Sequence, residues 1–224
     1  MVKVLCVAAH PDDEALGCSG TLARHVVRGD EVQVLFLADG VGSRGGDLGL
    51  ESVGRQSAAK RALTALGIER WQSLLLHDNG LDTYPLLDLI KHIESFLQIF
   101  PAEVIYTHHC SDLNIDHQIT HRAVLTACRP VPGQSVRSIY CFEVLSSTEW
   151  GIGGSQPFRP NYFVDITHYW PQKLDALEAY AAEMREFPHA RSMRAVEALA
   201  TLRGSSVGVA YAEAFMLERA LVSA

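Results

Sequence analysis

The feature that most constrains the fold of this chain is a regular alternation of short apolar runs with longer segments of helical periodicity. Apolar runs typical of buried strands occupy residues 2–9, 31–38, 71–76 and 103–107. Helical patterns follow them at residues 13–28, 51–66, 85–99 and 116–128. Later strands are predicted at 138–144 and 162–166, and later helices at 171–186 and 192–202. This alternation predicts an α/β fold with a mostly parallel sheet and helices on both faces.

Histidines and carboxylates concentrate where the predicted strands end. The first strand is followed by His10-Pro-Asp-Asp-Glu14, and the second by Asp39 and a glycine-rich loop over residues 39–50. The later clusters are His77-Asp78 after the third strand, and Asp112, Asp116 and His117 after the fourth. Ligands of open parallel sheets bind beyond the carboxyl ends of the strands. These side chains are therefore expected to share one site.

The residue types in these clusters indicate a metal ion. Imidazole nitrogen and carboxylate oxygen are common zinc ligands, and a catalytic zinc usually keeps three protein ligands and one open position. His10 and Asp13 can converge on one ion across a strand-to-helix corner, and His117 can supply the third ligand. Asp12 then remains as a general base, because zinc lowers the pKa of bound water to about 7 and a nearby carboxylate can take the proton. The sequence thus predicts Zn²⁺ as the cofactor.

A dinucleotide site is disfavoured by the same segment. Such a site needs a glycine-rich turn directly after the first strand, where backbone N–H groups meet a pyrophosphate. Here Asp12, Asp13 and Glu14 would repel a phosphate, and Gly17 and Gly20 lie a helical turn too late.

The segment AHPDDEALG at residues 9–17 resembles the signature of the PIG-L/LmbE-like deacetylases, which remove acetyl groups from N-acetylglucosamine units. Asp116-His117 matches the end of that family's second motif, and Arg55 after the glycine-rich loop is also similar. The resemblance implies a Rossmann-like fold, zinc and an amide-hydrolase mechanism. On this resemblance His10, Asp13 and His117 match the metal ligands, and Asp12 matches the general base.

The chain departs from the family pattern at Asn114, where many members have a histidine that is thought to help stabilise the oxyanion or protonate the leaving group. Asparagine can donate a hydrogen bond but cannot supply a proton. The acid role is therefore assigned to Asp12 as a proton shuttle or to His189, since some members use a histidine from the C-terminal region. Arg55, Arg44 and Asn114 are the candidate substrate-binding residues.

Composition limits the partners. With 224 residues, of which 48% are hydrophobic and 20% charged, the chain suits a single soluble domain over residues 1–224. A net charge of −7 argues against nucleic acid as a partner. No stretch approaches the ~20 apolar residues of a membrane span. Five cysteines, an odd number without a C-x-x-C pair, suit a reducing cytoplasm. The sequence leaves homo-oligomerisation open.

The sequence is compatible with four functions. The first is a zinc-dependent deacetylase of an N-acetylated sugar or sugar conjugate. The second is an amidase of another sugar-amide conjugate that uses the same metal site, and pocket shape rather than sequence separates these two. A binding module is disfavoured because it has no need of a spare base beside a metal. A metal-dependent phosphohydrolase usually has a second metal and more carboxylate ligands, and Asp78, Asp112 and Asp116 keep that option open.

Overall fold

A computed structural model describes residues 1–42, 48–151 and 156–222. Within them seven strands form one sheet in the order β3-β2-β1-β4-β5-β7-β6. The strands are β1 (Lys3–Ala8), β2 (Glu31–Ala38), β3 (Arg70–Leu76), β4 (Val104–His108), β5 (Ser138–Phe142), β6 (Tyr162–Asp165) and β7 (Ala212–Ala220). Adjacent strands from β3 to β5 pair in parallel, whereas β7 is antiparallel to both β5 and β6. The predicted α/β fold with a mostly parallel sheet is confirmed.

Helices cover both faces of this sheet. They are α1 (Asp13–Gly17), α2 (Ser19–Val27), α3 (Leu48–Ala65), α4 (Leu86–Ile99), α5 (Ile115–Ala127), α6 (Trp170–Ala179) and α7 (Met193–Ser205). Successive side chains of a strand point to opposite faces, so β1 contributes to two cores. Val4, Cys6 and Ala8 pack with residues of α1, α2, α3, α6 and α7, whereas Leu5 and Val7 pack with residues of α4 and α5. Burial on both faces explains why the run in β1 is continuously apolar.

The helix expected over residues 13–28 is divided at Cys18. The backbone there leaves helical geometry, with φ −150° and ψ 13°. Gly17 packs so closely against the Phe142 ring that a Cβ at this position would lie 2.5 Å from a ring carbon. This contact accounts for the glycine, and the division separates α1, which lies at the site, from α2.

Strand β7 is absent from the sequence-based expectations. Its residues, AEAFMLERA, are mostly strong helix formers. Tertiary contacts determine its conformation, because the buried Glu213 carboxylate accepts hydrogen bonds from the backbone N–H groups of Gly20 and Thr21 and from Lys173 Nζ at 2.6 Å. The helix expected over 171–186 is also shorter, since α6 ends at Ala179 and a 3-10 turn, Ala181–Glu183, follows. None of the helices described has the length and apolar composition needed to cross a membrane.

Candidate active site

The turn after β1 brings two adjacent carboxylates into the site. Asp13 opens α1, and its Oδ2 accepts a hydrogen bond from the His10 backbone N–H at 2.9 Å. Asp12 has a φ of 121°, which non-glycine residues rarely adopt and which costs about 1–3 kcal/mol. Strain of this kind persists where the surrounding structure enforces it, and it is concentrated at functional sites.

His10, Asp13 and His117 form a buried group at the carboxyl edge of the sheet. His10 Nδ1 lies 3.2 Å from Asp13 Oδ2, and His117 Nε2 lies 3.3 Å from Asp13 Oδ1. Four tetrahedral ligand atoms with zinc bonds of 2.0–2.2 Å are separated by roughly 3.3–3.6 Å. The three predicted ligands are therefore brought together at a spacing suited to one small divalent ion.

Two atoms of this group lack hydrogen-bond partners. Asp13 Oδ1 and His117 Nε2 are both buried, and neither forms a hydrogen bond within the residues described. Buried polar atoms are nearly always paired, so such atoms require an explanation. They face each other across 3.3 Å. A metal ion between them would satisfy both, and the donor set therefore fits the metal that the sequence predicts.

Outer carboxylates orient both histidine rings. His10 Nε2 donates to Asp116 Oδ2 at 3.0 Å and also faces Asp78 Oδ1 at 3.2 Å. His117 Nδ1 faces Asp112 Oδ1 at 3.1 Å. A carboxylate on the far nitrogen of a ligand histidine fixes the tautomer and strengthens the ligand. The three aspartates thereby direct His10 Nδ1 and His117 Nε2 toward Asp13.

Asp112 is itself held firmly. Its carboxylate accepts hydrogen bonds from Ser147 Oγ and, at 2.6 Å, from Thr148 Oγ1. Burial raises the pKa of Asp112, but the charge of His117 and these hydrogen bonds outweigh burial and lower it to about 2. Burial likewise lowers the pKa of His117, but Asp13 and Asp112 raise it to about 9. Metal binding at His117 Nε2 competes with a proton there, so it is coupled to proton release.

Asp12 lies among cations instead of histidines. Its Oδ2 accepts from Arg55 Nη1 at 3.1 Å and from Arg191 Nη1 at 2.8 Å. Only 4% of the Asp12 surface is exposed. Two charge-assisted hydrogen bonds to one oxygen hold this carboxylate in a fixed position beside the metal group.

The Arg55 guanidinium contacts four oxygen acceptors of the protein. Besides Asp12 it donates to the carbonyl oxygens of Pro11 at 2.7 Å and Gly40 at 3.0 Å, and it pairs with Glu183 at 2.6 Å. It is 5% exposed. These contacts make Arg55 a positioning residue for Asp12, and direct contact with substrate stays a prediction.

Arg191 contacts Asp12 but is not among the residues that the sequence singled out. It comes from the same segment as His189, and its Nε also donates to Ser146 Oγ at 2.7 Å. The available signal was charge balance, since a buried cluster of carboxylates requires cations. His189 is exposed, accepts a hydrogen bond from the Arg191 backbone N–H at 3.0 Å, and lies edge-on to Trp150 with ring centroids 6.2 Å apart. Its role as a general acid stays a prediction.

Asn114, a candidate from the sequence, and His108, which is not among the candidates, both form contacts within the protein. Asn114 caps α5, because its Oδ1 accepts from the Asp116 backbone N–H at 2.8 Å and its Nδ2 donates to Asn79 Oδ1 at 3.1 Å. His108 Nε2 accepts from the Ala9 backbone N–H at 2.8 Å, and its ring stacks on His117. Arg44 lies outside the described residues, and contact of Arg44 or Asn114 with substrate stays a prediction.

Comparison with known proteins defines the class of this fold and site. The family model PIG-L, described as GlcNAc-PI de-N-acetylase, matches residues 5–128. The chain therefore belongs to the PIG-L family of deacetylases, which are metal-dependent hydrolases. The uncharacterized deacetylase YaiS of Escherichia coli K12 is 30% identical over 186 residues, which cover 79% of this chain and 89% of YaiS.

Solved structures share the fold. The N,N'-diacetylchitobiose deacetylase of Pyrococcus horikoshii superposes with a TM-score of 0.78 at 22% identity, covering 97% of this chain and 84% of that one. GalB, the 4-carboxy-2-hydroxymuconate hydratase of Pseudomonas putida KT2440, gives a TM-score of 0.79 at 22% identity, covering 100% and 99% of the two chains. At this identity the similarity shows the fold alone, and the two neighbours carry different activities.

Proposed function

We propose that this protein is a zinc-dependent hydrolase that removes the N-acetyl group from an N-acetylglucosamine-type sugar or sugar conjugate. One observation carries the proposal. Asp13 Oδ1 and His117 Nε2 are buried, form no hydrogen bond among the described residues, and face each other beside a separate carboxylate, that of Asp12. This arrangement provides metal ligands and a base as distinct groups. The family description and the chitobiose substrate named for the Pyrococcus neighbour support the substrate class.

Zinc is the metal that best fits the donor set. His10 Nδ1, Asp13 and His117 Nε2 supply nitrogen and oxygen ligands, and three such ligands with one open position are typical of catalytic zinc. When bound, zinc supplies a Lewis acid that polarises the amide carbonyl and makes water nucleophilic near pH 7. Asp116, Asp78 and Asp112 keep the two histidines aligned for this task.

Asp12 moves the proton. One water adds to the amide carbon, and the Asp12 carboxylate takes its proton through Oδ1 while Arg55 and Arg191 hold Oδ2. Asp12 then returns that proton to the nitrogen as the C–N bond breaks, which yields acetate and a free amino sugar. Asn114 cannot supply a proton to the leaving nitrogen. Because Asp12 returns the proton that it took from water, no separate acid is needed. His189 remains the alternative proton donor.

The cysteines bear on the proposed cellular setting, and the net charge bears on the proposed substrate. All five cysteines are free, which supports a reducing cytoplasm. The net charge of −7 supports a small sugar substrate over nucleic acid.

Acetate release from a panel of N-acetylated sugars and sugar conjugates, measured after metal depletion and after zinc addition, tests the proposal. We expect zinc-dependent acetate release that is lost in Asp12→Asn. Release of another acid from sugar amides would favour the amidase alternative. Phosphate release from phosphomonoesters, or turnover of 4-carboxy-2-hydroxymuconate, without acetate release would contradict the proposal.

A further inference from the structure

A second group of ligand-type side chains lies one helical turn beyond His117 on α5. His121 on α5, Cys141 on β5 and Glu218 on β7 bring a nitrogen, a sulfur and an oxygen atom within 4.8 Å of one another. His121 and Cys141 are 5% and 1% exposed, whereas Glu218 lies at the surface. Two ligands of the group are therefore buried, and an ion can reach them from the solvent on the side of the exposed Glu218.

His121 forms no hydrogen bond with any of the residues described. Both Nδ1 and Nε2 are buried and unpaired in the portion of the chain that the structure describes. The nearest carboxylate oxygen, Glu218 Oε2, is 3.9 Å from Nε2, which is too far for a hydrogen bond. Burial, with a smaller contribution from His109, lowers the pKa of His121 to about 4. A neutral imidazole with an unused lone pair thus faces Cys141 and Glu218.

The strand register places Glu218 at an irregularity. Tyr140 pairs with Leu217 and Ile139 pairs with Arg219, so Glu218 is an extra residue in β7. A β-bulge of this kind redirects side chains and is often found near functional sites. Here it accompanies a carboxylate that is turned toward a histidine on the covering helix.

We propose that His121, Cys141 and Glu218 form a second metal site, which takes zinc or a similar transition-metal dication. Thiolate and imidazole ligands select such ions over calcium and magnesium, which prefer oxygen. Binding forms one bond each to nitrogen, sulfur and oxygen, and the Cys141 thiol releases its proton to solvent. Through these three bonds the ion links α5, which also carries His117, to β5 and to the antiparallel strand β7.

Cobalt(II) distinguishes this site from the first one. A thiolate bound to Co²⁺ gives a ligand-to-metal charge-transfer absorption in the near ultraviolet, whereas His10, Asp13 and His117 contain no sulfur. The full-length protein is depleted of metal with a chelator and titrated with Co²⁺. We expect the wild type to reach the absorption of one thiolate-bound ion per chain. In Asp13→Asn, in which the first site is impaired, the same absorption should persist and saturate at about one added ion per chain.

Substitutions locate the ligands. Cys141→Ser should abolish the absorption, and Cys128→Ser, at another buried thiol, should retain it. Glu218→Gln changes a surface residue without disturbing the core, and it should weaken Co²⁺ binding by at least about 10–100-fold, since changes outside the ligand shell alone cost that much. Circular dichroism verifies that each variant is folded.

The outcomes decide the proposal without reference to catalysis. Absence of the absorption in the wild type, its survival in Cys141→Ser, its loss in Asp13→Asn, or unchanged affinity in folded Glu218→Gln would each overturn the second site. A protein that binds Co²⁺ with this absorption but releases no acetate would support the second site and contradict only the proposed deacetylase function.

Discussion

Asp12 and Asp13 are neighbours in the chain and both are buried, yet their surroundings differ completely. Asp13 lies between the rings of His10 and His117, whereas Asp12 lies between the guanidinium groups of Arg55 and Arg191. The φ of 121° at Asp12 accompanies this divergence. One region offers imidazole nitrogens that a metal can use in place of a proton, and the other offers fixed cations that orient an anion. Surroundings, more than residue type, therefore distinguish the proposed metal ligand from the proposed base.

The largest effect is expected from removing a ligand on the histidine side. His117→Ala should lose the metal equivalent of the first site and reduce turnover to background, because only two protein ligands remain there. Elemental analysis and an acetate assay measure this. His92→Ala, at an exposed histidine on α4, is the matched control and should change neither quantity. Full metal content in His117→Ala would remove this residue from the metal group.

The next largest effect is expected in stability, from the guanidinium side. Arg55→Ala leaves Asp12 and Glu183 without their buried partner, and breaking a buried ion pair costs about 3–5 kcal/mol. Denaturant unfolding should show this loss of stability. Steady-state kinetics should show a lower kcat and little change in KM. Arg61→Ala, at an exposed arginine on α3, is the control. A raised KM with unchanged stability would instead make Arg55 a substrate-binding residue.

An outer carboxylate of the histidine side should have an intermediate effect. Asp112→Asn weakens the orientation of His117, and loss of such an outer partner typically costs 10–100-fold in metal affinity or activity. Competition with a chelator measures the affinity. The exposed Asp88→Asn on α4 serves as the comparison and should match the wild type. If Asp112→Asn binds metal like the wild type, the outer carboxylates do not tune the site.

The smallest effect is expected from Arg191→Gln. Arg55 still holds Asp12 in this variant, so we expect kcat to fall by about tenfold, which corresponds to ~1.4 kcal/mol, with metal content unchanged. Steady-state kinetics of acetate release measures it. Arg203→Gln, at an arginine that pairs with Glu143, is the control on the same C-terminal portion of the chain. Metal loss in Arg191→Gln would show that the two sides are not separable.

The parallel part of the fold could be predicted because its strands and helices are encoded by patterns of neighbouring residues. The apolar runs of β1 and β2 and the helical period of α5 are visible within short windows, and the strand-end rule then places His10, Asp13 and His117 at one edge. Strand β7 could not be predicted, since its composition favours a helix and its strand conformation depends on partners far away in sequence.

The same limit applies to the site. His10, Asp12 and Asp13 belong to one short segment whose residue types carry their own chemistry. Arg191 lies 179 residues from Asp12, and only the folded chain shows that it, and not the ring of the nearby His189, contacts this carboxylate.

The separation of roles between Asp12 and Asp13 is tested most directly by measuring metal content and turnover together in Asp12→Asn and Asp13→Asn. We expect Asp12→Asn to bind metal at the wild-type level at the first site while kcat for acetate release falls by about 10²–10⁴-fold, the usual contribution of a general base. Asp13→Asn should lose metal from that site as well as turnover. Loss of this metal in Asp12→Asn, or near-normal turnover in that variant, would contradict the account.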